Sequence, residues 1–396
     1  MVTPGRGGLR AQYTAGRVPT TGAIATTGAC VTIDVMTGTT NFSTVGVVAE
    51  TKTSEGRVAL TPDGVRELST RGARVLIETG AGVKAGITDE DYRAAGGHIV
   101  GCEDAWGAAL VVKVKEPQEH EFLYLREDLT LFTYLHLAAY PQVAEALCMS
   151  KTTAYAYETV TDPRGGLPLL APMSEIAGRL APQMGAHCLT SGAGGSGVLL
   201  AGSAGVSPGN VTVIGAGNVG WNAARIAAGM GANVTLLDTN LERLRALDNY
   251  GIGRIRTLAA NRGTVERSVR DADMLIGAVL VPGDRAPVVV DAAMVASMRP
   301  GSVIVDVAVD QGGCIATTRE TTHTSPTYIE QGVVHYAVGN MPGAVPRTST
   351  YALTNATLPY IADLATLGND GVFERSHVLR TGLQTRDGRP ARTLTD

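Results

Sequence analysis

Several polar side chains lie where predicted strands end, and together they could bind and protonate a small oxo acid. Arg57 follows the first predicted strand, Lys113-Val-Lys115 ends another, His136 ends the next, and Asp306 and Asp310 close a fourth. A guanidinium fork and an ammonium group suit a carboxylate and a carbonyl, and an imidazole, which titrates near neutrality, suits proton transfer. Because α/β sheets bind ligands at the carboxyl ends of their strands, these positions indicate a site for a small oxo acid.

Spacing alone leaves choices open within this set. Lys113 and Lys115 would point to the same face of a strand, so either could reach a substrate. Asp306 and Asp310 are similarly ambiguous, and Asp306 could serve a helix N-terminus instead of a ligand. His136 taken alone is better explained as a hydrogen-bonded structural histidine. A functional role is favoured because cationic residues and an acidic residue are found at the ends of other predicted strands.

Residues 211–220, VTVIGAGNVG, predict a strand, a glycine-rich turn and the start of a helix. Gly215 permits the tight turn, and Gly217 lets backbone amides approach a pyrophosphate at the helix N-terminus. Gly220 lets the helix pack closely on the strand. The motif is short and the chain has 49 glycines, so its meaning depends on the apolar strands that flank it. With that context it predicts a dinucleotide-binding βαβ unit.

An acid at the end of the following strand points to the identity of the dinucleotide. Residues 234–238, VTLLD, predict that strand, and Asp238 lies 18 residues after Gly220. A carboxylate at this distance accepts a hydrogen bond from the ribose 2′-hydroxyl and repels a 2′-phosphate. The sequence therefore favours NAD over NADP.

Alternating short apolar runs and helical patterns must position these residues. Thr61-Pro62-Asp63 predicts a helix N-terminus, and Gly72 predicts its end. The predicted strands are 45–49, 74–78, 110–114, 130–135 and 154–158, then runs near 211, 234, 274, 303 and 333; the predicted helices are 89–95, 143–149, 172–189 and 349–367, with others near 219, 241 and 292. This alternation predicts an α/β protein with mostly parallel sheets. The helix 172–189 and the Gly/Ser-rich run 191–197 are expected to form a hinge.

Composition favours a large soluble enzyme of the reducing cytoplasm. At 396 residues the chain exceeds what one hydrophobic core usually serves, so we expect two domains. Its 33 basic and 37 acidic side chains form no cationic block, which argues against nucleic-acid and membrane partners. Five widely spaced cysteines predict neither a disulfide framework nor a zinc site. Residues 1–43 have one acid, no lysine and no sustained periodicity, and are expected to be a disordered extension.

The chain as a whole closely resembles the alanine dehydrogenases, the NAD-dependent L-alanine oxidoreductases of bacteria, over about residues 45 to 370. The segments that carry the resemblance are Glu50-Thr-Lys52, Arg57-Val-Ala59, Lys113-Val-Lys115-Glu-Pro117, His136-Leu-Ala138, Pro172-Met-Ser174-Glu-Ile-Ala-Gly178-Arg179, the glycine-rich turn, Asp310-Gln-Gly-Gly313 and Asn340-Met-Pro342. So many ordered segments are far more specific than any one of them.

The resemblance implies roles for individual residues. It implies that Arg57 and Lys115 hold the substrate carboxylate and carbonyl, and that His136 and Asp310 perform the proton transfers. It also implies an NAD site formed, besides the three motif glycines, by Ser174, Asp238, Arg243, Val279, Leu280, Val307, Ala308, Val309, Asp310, Arg319, Val338, Gly339, Asn340 and Met341. The reaction implied is the reversible oxidative deamination of L-alanine to pyruvate and ammonia.

The resemblance also implies architecture and assembly. A Rossmann-type, doubly wound NAD-binding domain, residues 171–345, is expected to be inserted in a second Rossmann-like α/β substrate domain formed by residues 44–170 with 346–396. A homohexamer is usual in the family, but the tail 380–396 is shorter than the expected helical ending. Some members bind magnesium through an acid and a histidine, where this chain has Asp363 and Leu367, so we predict no metal site. Pro182 should kink or shorten the helix 172–189 at a cost of about 3 kcal/mol.

Two other functions fit parts of this pattern. One is the nucleotide-binding subunit of a proton-translocating NAD(P) transhydrogenase, which would need no amino-acid site; His136 and Lys115 count against it. The other is a catalytically idle NAD-binding module, which would be free to lose Arg57, His136 or Asp310, and all three are present. Among oxo acids we expect pyruvate to be preferred to larger ones.

Overall fold

The structure is a computed structural model that describes residues 44–279 and 285–391. The predicted extension 1–43 therefore lies outside the described residues. The described part is an α/β protein whose strands, in chain order, are β1 Val45–Val47, β2 Val75–Glu78, β3 His98–Val100, β4 Leu110–Val112, β5 Thr130–Thr133, β6 Thr153–Ala156, β7 Asn210–Ile214, β8 Asn233–Asp238, β9 Ile255–Ala259, β10 Met274–Gly277, β11 Val303–Asp306, β12 Thr327–Glu330, β13 Val333–Tyr336, β14 Leu383–Arg386 and β15 Arg389–Pro390.

The helices connect and cover these strands. They are α1 Pro62–Thr70, α2 Asp89–Ala94, α3 Cys102–Trp106, α4 Pro141–Met149, α5 Ala171–Cys188, α6 Asn218–Gly229, α7 Leu241–Asp248, α8 Arg262–Arg270, α9 Ala292–Ala296, α10 Pro346–Arg375 and α11 His377–Gly382. The predicted start of α1 is confirmed, because the Thr61 hydroxyl accepts the N–H of Gly64 and Pro62 occupies the first turn. No helix within residues 44–279 and 285–391 is long and apolar enough to cross a bilayer.

Both sheets have the strand order of a dinucleotide-binding fold. The first runs β3-β2-β1-β4-β5-β6-β14-β15, and β1 to β6 are parallel while β14 and β15 are antiparallel. The second runs β9-β8-β7-β10-β11-β13-β12, and only β12 is antiparallel. In each sheet the six parallel strands follow the order 3-2-1-4-5-6, so the order reverses beside the first strand. The predicted fold class, a doubly wound Rossmann-type unit within a second Rossmann-like unit, is confirmed.

Apolar side chains cover both faces of each sheet, as parallel strands require. Leu110 and Val112 of β4 pack in one core, while Val111 between them packs in the core of the opposite face. In the second sheet Met274 and Leu275 of β10 divide between the two faces in the same way. Strands buried on both faces hold their carboxyl ends rigidly, and the polar residues lie there.

Helix α5 differs from the prediction made for Pro182. The helix runs from Ala171 to Cys188 with Pro182 inside it, so of the two effects predicted for Pro182 the shortening is wrong, while the kink stays a prediction. Tertiary packing outweighs the missing backbone hydrogen bond: α5 lies so close to α6 that a Cβ on Gly178 would overlap the Val219 carbonyl oxygen. The helix predicted for 349–367 is found within α10, where Gly368 has a φ of 63° and interrupts helical geometry.

Several predicted strands end earlier than their apolar runs suggest. β4 stops at Val112 and β5 at Thr133, so Lys113, Lys115 and His136 lie in the loops that follow. The tail also contributes more than predicted, because β14 extends the first sheet beside β6. Sequence patterns missed β3, β9, α8, β12 and this tail hairpin, which are short and only partly buried.

Candidate active site and dinucleotide site

The glycine-rich turn follows β7 at the point where the strand order of the second sheet reverses. Gly215 has a φ of 96°, and a Cβ there would lie 2.5 Å from the Ala278 carbonyl oxygen. A Cβ on Gly220 would overlap the Gly215 carbonyl oxygen, whereas a Cβ on Gly217 would meet nothing within 4 Å. Gly217 caps α6, so open space lies before a helix N-terminus that attracts anions.

Asp238 ends β8 beside that turn and is nearly buried. Its carboxylate accepts the N–H of Ala216 at 2.7 Å and that of Asn240 at 2.7 Å. Arg243 in α7 donates to the same carboxylate at 3.2 Å. These bonds fix a carboxylate at the edge of the phosphate-binding turn, where a ribose would follow a pyrophosphate.

Other residues predicted for the NAD site lie around the same turn. Val279 lies two residues after the end of β10 and is half-buried, while Leu280 lies outside the described residues. Ser174 lies one turn before Gly178, the residue whose close approach to Val219 joins α5 to the first turn of α6.

Asp306 and Asp310 have different environments. Asp306 is buried at the end of β11, where it accepts the N–H groups of Ala308 at 3.1 Å and Cys314 at 3.0 Å. It therefore caps the 3₁₀ turn Val307–Gln311, which includes Ala308 and Val309. Burial raises the pKa of Asp306. Asp310 is exposed on that turn and accepts the N–H of Asn340 at 3.1 Å.

The two lysines also differ. Lys113 is 1% exposed, 3.0 Å from Glu121 and 3.6 Å from Glu50. Burial by itself lowers its pKa, but the attraction of both carboxylates raises it above its usual range. Lys115 points elsewhere, with Nζ 3.5 Å from His136 Nε2. The expectation that both share one face is wrong, because β4 has ended and strand alternation no longer applies.

Arg57 is 2% exposed and belongs to a triangle of side chains. It donates to Glu55 through Nε at 2.7 Å and Nη2 at 2.5 Å, and to Asn340 Oδ1 through Nη2 at 2.8 Å. Asn340 Nδ2 donates to Glu55 at 3.1 Å, which closes the triangle. Burial alone would raise the pKa of Glu55, but the hydrogen bonds and charge of Arg57 lower it to about 2.

His136 lies three residues after the end of β5 and has a φ of 48°, an unusual conformation for a residue with a side chain. Its backbone N–H donates to Glu158 at 2.6 Å, and its ring Nδ1 lies 3.9 Å from the same carboxylate. The ring stacks on Tyr134, with centroids 5.7 Å apart. Glu158 therefore holds the loop that presents the imidazole to Lys115.

The charges around His136 change its titration. Burial, followed by the positive charges of Lys115, Lys52 and Arg57, lowers the pKa of His136 to about 3. Burial, followed by Arg57 and Lys52, also lowers the pKa of Lys115. The expected titration of His136 near neutrality is thus not found. At neutral pH the imidazole is uncharged and can accept a proton.

The structure thus brings some predicted residues together and not others. Lys115 contacts His136, and Asn340 joins Arg57 to Asp310. Arg319 instead stacks on the Tyr328 ring at 3.5 Å and donates to Glu330. Val338 and Met341 are buried on either side of Asn340, and Gly339 lies so close to Glu320 that a Cβ would overlap its carboxylate.

Sequence reasoning missed two acids of this cluster. Glu158 lies just beyond β6, so the strand-end rule that selected His136 could also have selected it. Glu55 gave no such signal, because it lies in a loop and its partner Asn340 is 285 residues away.

The two doubly wound units, the glycine-rich turn with its acid and the polar cluster define a two-domain, dinucleotide-dependent oxidoreductase. Family profiles agree: residues 46–177 match the profile described as alanine dehydrogenase/PNT, N-terminal domain, and residues 181–392 match that of the C-terminal domain. The chain belongs to the alanine dehydrogenase/PNT family.

Individual relatives support the same conclusion. The chain is 54% identical to the alanine dehydrogenase of Bacillus subtilis over 346 residues, which are 87% of this chain and 91% of that one. It is 53% identical to the alanine dehydrogenase of Mycobacterium tuberculosis, over 87% and 93% of the two chains.

Solved structures resemble the described fold. An L-alanine dehydrogenase structure matches with a TM-score of 0.85 and 51% identity, over 87% of this chain and 96% of that one. A transhydrogenase from Sinorhizobium meliloti matches with a TM-score of 0.75 and 24% identity, over 87% and 98%, a likeness of fold alone. The resemblance to alanine dehydrogenases, the enzyme class and the NAD cofactor predicted from the sequence are confirmed at the level of the family.

Proposed function

We propose that this chain catalyses the NAD-dependent, reversible oxidative deamination of L-alanine to pyruvate and ammonia, and that the cluster around His136 is its active site. The observation that carries the proposal is the 3.5 Å contact between Lys115 Nζ and His136 Nε2. It places a cation for a carbonyl or carboxylate next to an uncharged base. Arg57 belongs to the same site, since its charge lowers the pKa of both groups.

The residues around the glycine-rich turn fit NAD. The open space at Gly217 admits a pyrophosphate to the N-terminus of α6, and Asp238 supplies the acceptor for a ribose hydroxyl. Ser174, Arg243, Val279, Leu280, Val307–Asp310, Arg319 and Val338–Met341 complete the proposed NAD site. When bound, NAD supplies the oxidant that takes hydride from the substrate Cα.

Arg57 and Lys115 bind the substrate. The carboxylate of alanine or pyruvate lies between their positive charges, and Lys115 polarises the carbonyl in the direction of amination. Both cations lie in a largely buried site, where an anion gains more from them than it would in water. Orientation by two fixed cations directs Cα towards the nicotinamide end of the cofactor site.

His136 and Asp310 handle protons. After loss of hydride the substrate is an iminium ion; water adds to its carbon and gives one proton to the uncharged His136, which leaves a carbinolamine. The protonated His136 returns that proton to the amino group, the C–N bond breaks, and the hydroxyl group forms the C=O of pyruvate as its proton passes to the departing ammonia, which leaves as ammonium. Substrate binding assists this step, because a carboxylate between Arg57 and Lys115 offsets the charges that lower the pKa of His136. Asp310 accepts a hydrogen bond that orients water or ammonia.

We propose that the two domains bind different molecules. We assign residues 44–170 with 346–396 to substrate binding and residues 171–345 to NAD. The strands of the first sheet come from 45–156 and 383–390, and those of the second from 210–336. We further propose a cytoplasmic homohexamer that acts on small molecules and has no nucleic-acid or membrane partner.

Absorbance of NADH tests the function. Purified protein is mixed with NADH, ammonium and pyruvate, with reactions lacking ammonium and reactions with 2-oxobutyrate, 2-oxoglutarate or NADPH as controls. We expect NADH loss that requires ammonium and is fastest with pyruvate. NADH binding without turnover on any of these oxo acids would refute the reaction and leave a nucleotide-binding module or a transhydrogenase subunit.

A further inference from the structure

Glu55 is a buried carboxylate next to the proposed substrate arginine. It is 1% exposed and accepts three hydrogen bonds from Arg57: from the backbone N–H at 3.0 Å, from Nε at 2.7 Å and from Nη2 at 2.5 Å. Because Arg57 lowers the pKa of Glu55 to about 2, the carboxylate is charged at any working pH. One full edge of the guanidinium is thus committed to a carboxylate of the chain itself.

The remaining N–H donors of Arg57 face acceptors of different strength. The other Nη2 proton faces Asn340 Oδ1 at 2.8 Å, while Nη1 faces the Met173 sulfur at 3.0 Å. A thioether is a weak acceptor. Among the contacts of the described residues, Nη1 is therefore the side of Arg57 that an incoming carboxylate can take at least cost.

Asn340 connects this arrangement to the NAD-binding half of the chain. Its amide lies between Arg57 and Glu55, and its backbone N–H donates to Asp310 at 3.1 Å. It has a φ of 55°, which suits asparagine and glycine better than other residues. The orientation of the arginine thus depends on residues of both halves.

We propose that Glu55 is a positioning residue: with Asn340 it occupies the Nε/Nη2 edge of Arg57, so that the substrate carboxylate is received on the Nη1 side. The inference rests on the proposed function, since it concerns the same site. A substrate held on one side of a fixed guanidinium has its Cα in one orientation. Without Glu55, the guanidinium of Arg57 could instead bind the substrate carboxylate through its Nε and Nη2 atoms, which would displace the substrate Cα.

Glu55→Gln tests the inference, because it keeps the shape of the side chain and removes its charge and one acceptor. We expect the KM for pyruvate to rise about tenfold or more, with a smaller change in kcat and an unchanged Kd for NADH. Glu67→Gln is the matched control, because Glu67 also accepts hydrogen bonds from Nε and Nη2 of an arginine, Arg71, but at an exposed position of α1. Its KM should equal that of the wild type.

Asn340→Gly supplies a second variant that keeps the positive φ and the backbone bond to Asp310 but removes the amide. We expect a KM increase of a few-fold, and a Glu55→Gln/Asn340→Gly double variant whose effect is less than the product of the two. If Glu55→Gln does not fold, the KM of Asn340→Gly for pyruvate tests the positioning role by itself.

The outcomes separate the two proposals. Wild-type protein without ammonium-dependent pyruvate turnover refutes the function. An active wild type together with a folded Glu55→Gln of unchanged KM refutes only the positioning role, as does an unchanged KM in Asn340→Gly.

Discussion

Two glycines of the dinucleotide turn should respond in opposite ways to one added methyl group. A Cβ on Gly220 would lie 2.9 Å from the Gly215 carbonyl carbon, overlap its oxygen, and approach Ala278 Cβ at 3.3 Å. Backbone cannot yield as a side chain can, so Gly220→Ala should destabilise the fold by about 3 kcal/mol or more, the upper range for overpacking. That corresponds to a fall in Tm of roughly 5 °C or more.

Gly217→Ala should instead spare the fold. The residue has a φ of −72°, which alanine adopts readily, and a Cβ meets nothing within 4 Å, so stability should stay equal or rise by about 0.4–1 kcal/mol. The methyl group fills the space that the pyrophosphate needs. Loss of one hydrogen bond to a charged group costs about 1.5–3 kcal/mol, which weakens NADH binding by about 10- to 150-fold.

Thermal unfolding and fluorescence titration with NADH measure both effects on the two variants and the wild type. Gly229→Ala is a suitable control, since a Cβ at Gly229 near the end of α6 also meets nothing within 4 Å. Equal losses of Tm in Gly217→Ala and Gly220→Ala would refute the steric reasoning. An unchanged Kd in Gly217→Ala would refute the position of the pyrophosphate.

Two further substitutions test the site, and a third tests the buried ion pairs of Lys113. His136→Gln should lower kcat by about 10²- to 10⁴-fold with unchanged NADH affinity, and full activity would exclude the imidazole from the mechanism. Because the pKa of His136 falls from 6.5 to about 3 on folding, the folded state binds fewer protons in that range. The free energy of unfolding of the wild type should therefore decline as pH falls from about 6.5 towards about 3. The free energy of unfolding of His136→Gln should decline less. If the two plots of unfolding free energy against pH are parallel, the lowered pKa of His136 is refuted. Asp238→Ala should narrow the preference for NADH over NADPH, measured as a ratio of kcat/KM values, and an unchanged ratio would count against the ribose contact. Lys113→Met should cost about 3–5 kcal/mol, because two buried carboxylates lose their cation. Lys151→Met, at an exposed pair, should cost at most about 1 kcal/mol, and equal losses in denaturant unfolding would refute the structural role of Lys113.

Local patterns predicted much of the fold. Thr61 and Pro62 start α1 as expected, because capping involves residues within one turn of each other. The turn at Gly215 follows from its neighbours in the same way. Strand ends were less predictable, because the apolar sequence of a strand can continue into a loop that is also buried. Val114, for example, is as buried as Val112 although β4 has ended.

The resemblance to a family selected Lys115 and Asp310, and the structure supplies physical reasons for each choice. Lys113 is held by two carboxylates and Asp306 caps a turn, so neither is available to a ligand. Spacing could not separate the members of each pair, because both lie within a few residues on the same segment.

The sequence by itself determined the two series of strands, the glycine-rich turn with Asp238, and the segments after strands that carry Arg57 and His136. These features depend on near neighbours and on the rule that parallel strands end at one edge. Only the tertiary structure decided that Glu55 and Asn340 hold Arg57, and that the pKa of His136 is low. Hydrogen bonds and Coulomb energies depend on distances in space. Those distances join residues that are 21 positions apart along the chain, as for Lys115 and His136, or 285 apart, as for Glu55 and Asn340.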